Sequence, residues 1–409
     1  MKKIICLIVI LVCIILGFPK EKKIEKVKIE NKKSNLLSMM LEISAGTGKY
    51  QKTTASSWPT EGYVFNEDLS KCEMGSSLSW DNINKKVIME GNGADKCYVY
   101  FDKISTLTEY VKAQYTGIQG ENNLYYHDSS LENGAGDNSY RYAGSSDTTN
   151  NFVCFGYDST DGSCPTDYLY RIIGVFDNQV KLIKYDYAKS TLLGTDGDYY
   201  NTYDSTGYDG TNKGVNAKVE IGAYYWNFSN GTSSTNVWSE SRLNTVNLNT
   251  NYLKNIVTSW SNKIATHTWK IGGNTYDNIY NVTVPITYRN EITTPAVDSM
   301  YDAKVGLIYV SDYGYAAASS AWATPLYNYK GNDYSLLSIK NVNWIYMGLL
   351  EWTILPRLDS NMAFRIDHNG CVYNAPVYDT RAIRPCFYLN SNVTYKSGAG
   401  TISSPFIIE

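Results

Sequence analysis

Two β-branched runs closed by a two-residue turn restrict this chain more than any other feature. Leu169 to Phe176 (LYRIIGVF) and Gln179 to Tyr185 (QVKLIKY) flank Asp177-Asn178. Asp and Asn tolerate the backbone that a tight hairpin turn requires, so the segment predicts a β-hairpin. Further along, Trp238 to Ala265 carries Leu243, Val246, Leu253, Ile256, Val257 and Trp260 at helical spacing. Ser239 suits its N-cap, and the Asn-rich stretch 247–251 is expected to divide it into two helices. Val305–Val310 and Ala382–Leu389 read as buried strands, and 194–216 as a long surface loop. Strands, then helices, then strands give a β-rich α+β unit over 121–409, not an alternating βαβ fold.

Upstream, 36–103 reads as a small β-sandwich-like domain. Its strands are signalled by Tyr63-Val64-Phe65, Leu78-Ser79-Trp80, Lys86 to Met89 and Cys97 to Phe101, with turn residues between them. Residues 104–120 read as a helical connector. Thr106 and Glu109 have capping-box spacing, and Gly117 suits the stop.

The N-terminus points out of the cytoplasm. Lys2 and Lys3 precede an apolar run, Ile4 to Phe18, of 15 residues, about 22 Å of helix. Ile15 to Lys20 makes a poor cleavage site. The segment 1–18 is therefore read as a signal anchor or transmembrane helix, a short one, with a cleaved signal peptide as the alternative, and 19–35 as a charged linker. Of the 8 cysteines, Cys6 and Cys13 fall in the apolar run. The other six are expected to be disulfide-bonded in an oxidising compartment. Proximity in sequence suggests Cys72–Cys97, Cys154–Cys164 and Cys371–Cys386. The spacing C-x-x-C is absent, which disfavours redox catalysis and a zinc ribbon.

Charged residues are only 19% and the net charge is −3, while aromatics reach 14% with 37 Tyr. That excludes general disorder and disfavours a nucleic-acid partner, which calls for a basic stripe. Only 3 His are present, too few for most zinc sites or His-based triads. No P-loop, G-x-S-x-G or H-E-x-x-H occurs. No catalysis is expected.

One ordered set of segments resembles a known family: Leu169–Phe176, Trp238–Asn244 (WSESRLN), Gly306–Tyr313 (GLIYVSDY), Glu351-Trp352-Thr353, Gly370 and Arg384–Leu389 (RPCFYL). It is similar to exported, membrane-anchored domains of Gram-positive gut bacteria to which no functional residues are assigned. That family in turn resembles the C-type-lectin-like superfamily, in its formylglycine-generating-enzyme branch. The resemblance implies a large C-type-lectin-like α+β domain over 121–409 and a bacterial cell-membrane protein. Residues 4–18 would cross the membrane once, leaving the folded domains extracytoplasmic. Cys371 and Cys386 stand where the family leads one to expect ordinary strand residues. Formylglycine chemistry needs a close pair of reactive Cys, so it does not carry over.

A binding or adhesion role follows as the expectation, with a glycan or a surface protein as partner. Sugars present C–H faces that stack and hydroxyls that need polar partners. Tyr199, Tyr203, Tyr225 and Trp226 around the long loop, and Trp344, Tyr346, Trp352 and Tyr373 further on, are the candidate ligand-binding residues. The alternatives are an exported enzyme acting on cell-wall carbohydrate and a purely structural surface module. No cofactor is expected. Calcium is the ion left open, at Asp196, Asp198, Asp204 and Asp209, at Asp158 and Asp161, or at Glu351. Tyr200 falls where a third loop ligand belongs, so solvated loop carboxylates are the expectation there.

Overall fold

The computed structural model describes residues 26–27, 37–59, 62–81, 83–91, 93–203, 221–228, 235–295, 299–329 and 341–409. The apolar run 4–18, most of the charged linker and the loop beyond Tyr203 lie outside the described residues. The chain is mixed α and β and strand-rich. It divides into two compact units, Met1–Ser105 and Thr106–Glu409. Among the described residues, no helix is long and apolar enough to cross a membrane.

The first unit contains β1 (Lys26–Val27), β2 (Leu37–Glu42), β3 (Tyr50–Lys52), β4 (Tyr63–Cys72), β5 (Ser77–Asp81), β6 (Lys86–Glu90) and β7 (Cys97–Lys103). They form two sheets, ordered β3-β2-β7-β4 and β1-β6-β5. Along β7 burial alternates, as a period of two dictates. Cys97, Val99 and Phe101 thus share one apolar core with Leu37, Met39, Trp58, Val87 and Met89. Cys72 and Cys97 lie opposite each other in the β4–β7 pair and are joined by a disulfide.

The second unit is built on a seven-stranded sheet. Its strands are β8 (Leu124–His127), β9 (Ser139–Tyr142), β10 (Phe152–Cys154), β11 (Leu169–Phe176), β12 (Gln179–Lys184), β17 (Val305–Gly306) and β22 (Cys386–Tyr388). The order is β17-β22-β12-β11-β9-β8, with β10 also pairing β11. The hairpin forms where the sequence places it. Asp177 and Asn178 both take positive φ, 45° and 64°, and Phe176 pairs Gln179. Its strands are buried along nearly their whole length.

Helix α1 (Leu107–Ala113) opens with the Thr106–Glu109 capping box and packs Leu107 and Val111 into the core of this second unit. The helical stretch after Trp238 differs from expectation. Leu243–Tyr252 winds continuously as a π-helix, and the break comes at Ile256–Val257, where the backbone turns extended. The asparagines do not end the helix because their side chains bond outward. Asn247 Nδ2 donates to the carbonyls of Leu193 and Asp196, both at 2.9 Å. Asn249 donates to the Val305 carbonyl and accepts from the Val305 N–H. The strand expected over Val305–Val310 is also shorter. The chain leaves β17 and enters helix α3 (Val310–Tyr315), whose Asp312 carboxylate accepts from the Tyr309 N–H at 3.0 Å. Helix α2 (Val284–Tyr288) precedes it.

A second disulfide joins Cys154 and Cys164. The third expected bridge does not form. Cys386 belongs to the seven-stranded sheet, whereas Cys371 abuts β20 (Val372–Pro376) of a separate sheet completed by β18 (Glu351–Pro356) and β19 (Met362–Ile366). Both are buried thiols, and burial pushes the Cys386 thiol up to about 12.

Candidate functional site

Four of the eight aromatic residues expected to meet a sugar are core residues instead. Trp226, Trp344, Tyr346 and Trp352 are at most 1% exposed. Their polar atoms are spent on backbone carbonyls: Trp226 Nε1 on Thr353, Trp344 Nε1 on Tyr142 and Trp352 Nε1 on Tyr224, at 2.8–3.0 Å. Tyr346 donates its hydroxyl hydrogen to the His368 carbonyl. A buried indole needs such an acceptor, and here the fold supplies it. The other four are half-buried. Tyr199 meets the edge of Tyr224, and Tyr225 stacks on Phe228 with ring centroids 4.3 Å apart. Tyr203 packs beside the cluster containing Tyr187 and Ile221, and Tyr373 lies against Tyr280 and Tyr327.

The loop carboxylates are likewise engaged by protein donors. Asp198 is buried and accepts from the Leu243 N–H at 3.0 Å, and Asp196 accepts from Asn251 Nδ2. Glu351 is clamped by both nitrogens of Arg384 at 2.7–2.8 Å. Asp158 accepts from Trp260 Nε1, and Asp161 from the Ser163 N–H. Asp204 and Asp209 lie outside the described residues. The one group of potential metal ligands among the described residues is Cys72, Asp95 and Cys97, and its two sulfurs are bonded to each other.

The charged groups converge elsewhere, in a pocket of about 200 Å³ on one face of the seven-stranded sheet. None of the eight expected residues lines it. Its floor follows from strand register. Arg141 on β9 pairs Gly174 on β11, Gly174 pairs Lys181 on β12, and Lys181 pairs Tyr388 on β22. Residues paired across a sheet project to the same side, so two cations and a phenol stand in one row. Glycine fits between the two cations because a Cβ at Gly174 would lie 2.2 Å from the Tyr140 carbonyl oxygen.

Helix α3 covers this row and brings the counter-charge. Lys181 Nζ lies 2.6 Å from Asp312 Oδ2, with side chains 0% and 3% exposed. Arg141 approaches Asp312 at 3.8 Å and bonds Asp137 at 2.6 Å. The Tyr288 hydroxyl also donates to Asp137, at 2.7 Å. The rings of Phe176, Tyr288 and Tyr315 stand 4.6–4.9 Å from the Arg141 guanidinium. Around the rim are His267, Thr268 and Lys270 from β15 (His267–Lys270), with His267 stacked on Tyr388 at 3.8 Å.

The protonation states follow from these contacts. Burial alone would raise the Asp137 pKa, but Arg141 and the hydroxyls of Ser139 and Tyr288 hold it well below the carboxylate range. Burial disfavours charge on Lys181, yet Asp312 more than offsets it and its pKa is raised. Burial, aided by the Lys181 charge, lowers His267 to about 4, so it is neutral at pH 7. Behind the floor, Glu291 is fully buried and raised by that burial to about 8, hence protonated. The floor is therefore saturated with its own ion pairs. The rest of the lining offers the Asp177 carboxylate, the His267 imidazole, aromatic rings, the Thr268 hydroxyl, which donates to Asp302, and the Lys270 ammonium, which donates to the Ile292 carbonyl. Such a set can bind and orient a polar ligand. The sequence did carry one signal for this site, single charged residues inside apolar stretches: Lys181 in VKLI and Asp312 in YVSDYGY. No protein-family model, curated protein or solved structure matches the chain.

Proposed function

We propose that this protein is an extracytoplasmic, membrane-tethered binding protein whose C-terminal unit recognises a glycan without transforming it. In this reading residues 4–18 hold the chain at the membrane, and the large unit is a lectin-like domain of the exported family named above. One observation carries the ligand class. The pocket over the Arg141–Lys181–Tyr388 row sets the aromatic lining of Phe176, Tyr309 and Tyr388 beside polar rim groups at His267, Thr268 and Lys270. Ring faces suit sugar C–H bonds and the rim suits hydroxyls. Two of its carboxylates, Asp137 and Asp312, are engaged by cations, and Asp177 is the third. The raised-pKa acid Glu291 is buried outside the pocket lining, so the lining does not present the acid-and-carboxylate pair that glycoside hydrolysis uses.

The test is a glycan array probed with the full chain in detergent, followed by titration of any hit against His267→Ala and Lys270→Ala. Binding without turnover, weakened about tenfold or more in each variant (about 1.4 kcal/mol), is the expected result. A chain that retains no glycan but captures a surface protein through the same rim, or a glycan hit indifferent to both substitutions, would remove this reading.

A further inference from the structure

We propose that Lys181 and Asp312 become joined by an intramolecular amide bond, formed with help from the carboxyl group of Glu291. The bond would tie the central strand β12 to helix α3 across 131 residues of chain. This does not depend on any ligand.

Three arrangements support it. First, nucleophile and electrophile are already in contact, with Lys181 Nζ 2.6 Å from Asp312 Oδ2. Both are held by rigid elements, because Lys181 sits in mid-strand and Asp312 is fixed at the start of its helix by the Tyr309 N–H. Effective concentrations in such preorganised pairs exceed anything available in solution. Second, the reacting side chains are buried, 0% and 3% exposed, at the floor of the pocket. The rings of Tyr309, Tyr388, Trp269 and Phe176 surround Nζ at 4.4, 5.0, 5.3 and 5.7 Å. A low-dielectric enclosure reduces the cost of converting the ion pair to neutral amine and acid. Third, an acid stands beside the pair. Glu291 Oε2 accepts from the N–H of Ser311, the residue before Asp312, at 3.1 Å, and Oε1 accepts from Asn274 at 3.2 Å. Among the described residues no cation pairs with it in range, and it feels the charges of both Asp312 and Lys181. It therefore keeps a proton at neutral pH.

The step balances without an oxidant or co-reactant. A proton passes from the Lys181 ammonium to the Asp312 carboxylate. The Nζ lone pair then attacks Asp312 Cγ, while Glu291 gives its proton to the carboxyl oxygen. The tetrahedral intermediate loses one C–O bond and releases water, and the surplus proton on Nζ returns to Glu291. One C–N bond is formed, one C–O bond is broken and one water leaves.

The experiment is tandem mass spectrometry on the full chain, purified folded, then denatured, reduced and digested with trypsin. Peptides 172–184 and 305–330, which hold Lys181 and Asp312, are expected as one branched species lighter than their sum by one water. Fragmentation should place the junction at those two side chains. Recovery of peptide 172–181, cut after an unmodified Lys181, together with linear 305–330 from the folded protein overturns the proposal. Glu291→Gln, checked for fold by circular dichroism, should give 172–181 and linear 305–330 in place of the branched species, and Glu291→Asp should restore part of it. A Glu291→Gln chain that still forms the bond overturns the role given to Glu291.

Discussion

His267 lines the pocket and Glu291 is buried behind its floor, and burial pushes both towards their neutral forms, with opposite consequences for stability. Glu291 rises from 4.5 to about 8 and His267 falls from 6.5 to about 4. A carboxyl that holds its proton more tightly when folded stabilises the fold below its unfolded pKa, and loses that contribution as pH rises through the folded value. For Glu291 the loss runs from about pH 4.5 to about pH 8 and is on the order of 4 kcal/mol. A depressed histidine acts the other way, its contribution being present above about pH 6.5 and lost as pH falls towards about 4. Between pH 6.5 and 8 the glutamate therefore acts without the opposing slope. The thermal midpoint of the wild-type chain should fall across this interval, and that of Glu291→Gln should stay level, as a pH series of melting curves would read. Sequence alone does not reveal such states. It presents forty acidic residues, and only packing shows that Glu291 keeps its proton.

At the level of elements, what could be read locally is where the sequence was informative. The Asp177-Asn178 turn, the Thr106–Glu109 box and the two near-neighbour disulfides each depend on a few adjacent residues, and each is present. The asparagine-rich helix could not be read this way, because its partners are distant in sequence. Asn249 imitates a strand, giving and taking one hydrogen bond with Val305 at 2.8 and 3.0 Å. Asn249→Ala would leave both polar groups of a strand-edge residue without these partners. A loss of about 2 kcal/mol is expected, measurable as a shifted urea midpoint at unchanged slope. The same distance hid the fate of Cys371 and Cys386, near in sequence yet assigned to different sheets. It also hid the tryptophans, whose acceptors lie as far away as Tyr142 is from Trp344.

At the scale of the whole molecule, the second unit contains the large core, its own capped first helix and every residue lining the pocket. A fragment of residues 106–409 is therefore expected to fold alone and to unfold in one cooperative transition by calorimetry. A broad, non-cooperative trace would contradict that. The α+β class was legible from the succession of strands and helices. The position of the pocket was not, since it is set by four strands drawn from residues 139 to 388. That alignment has a further consequence for how the sheet finds its native form. Side chains alternate with a period of two, so sliding β12 by one residue would carry the ammonium of Lys181 to the opposite side. There it would be stranded in oil, facing the neighbours that Leu182 now has, away from helix α3. A one-residue slip thus leaves a cation without its acid, and the native register is favoured over that error as the strands assemble.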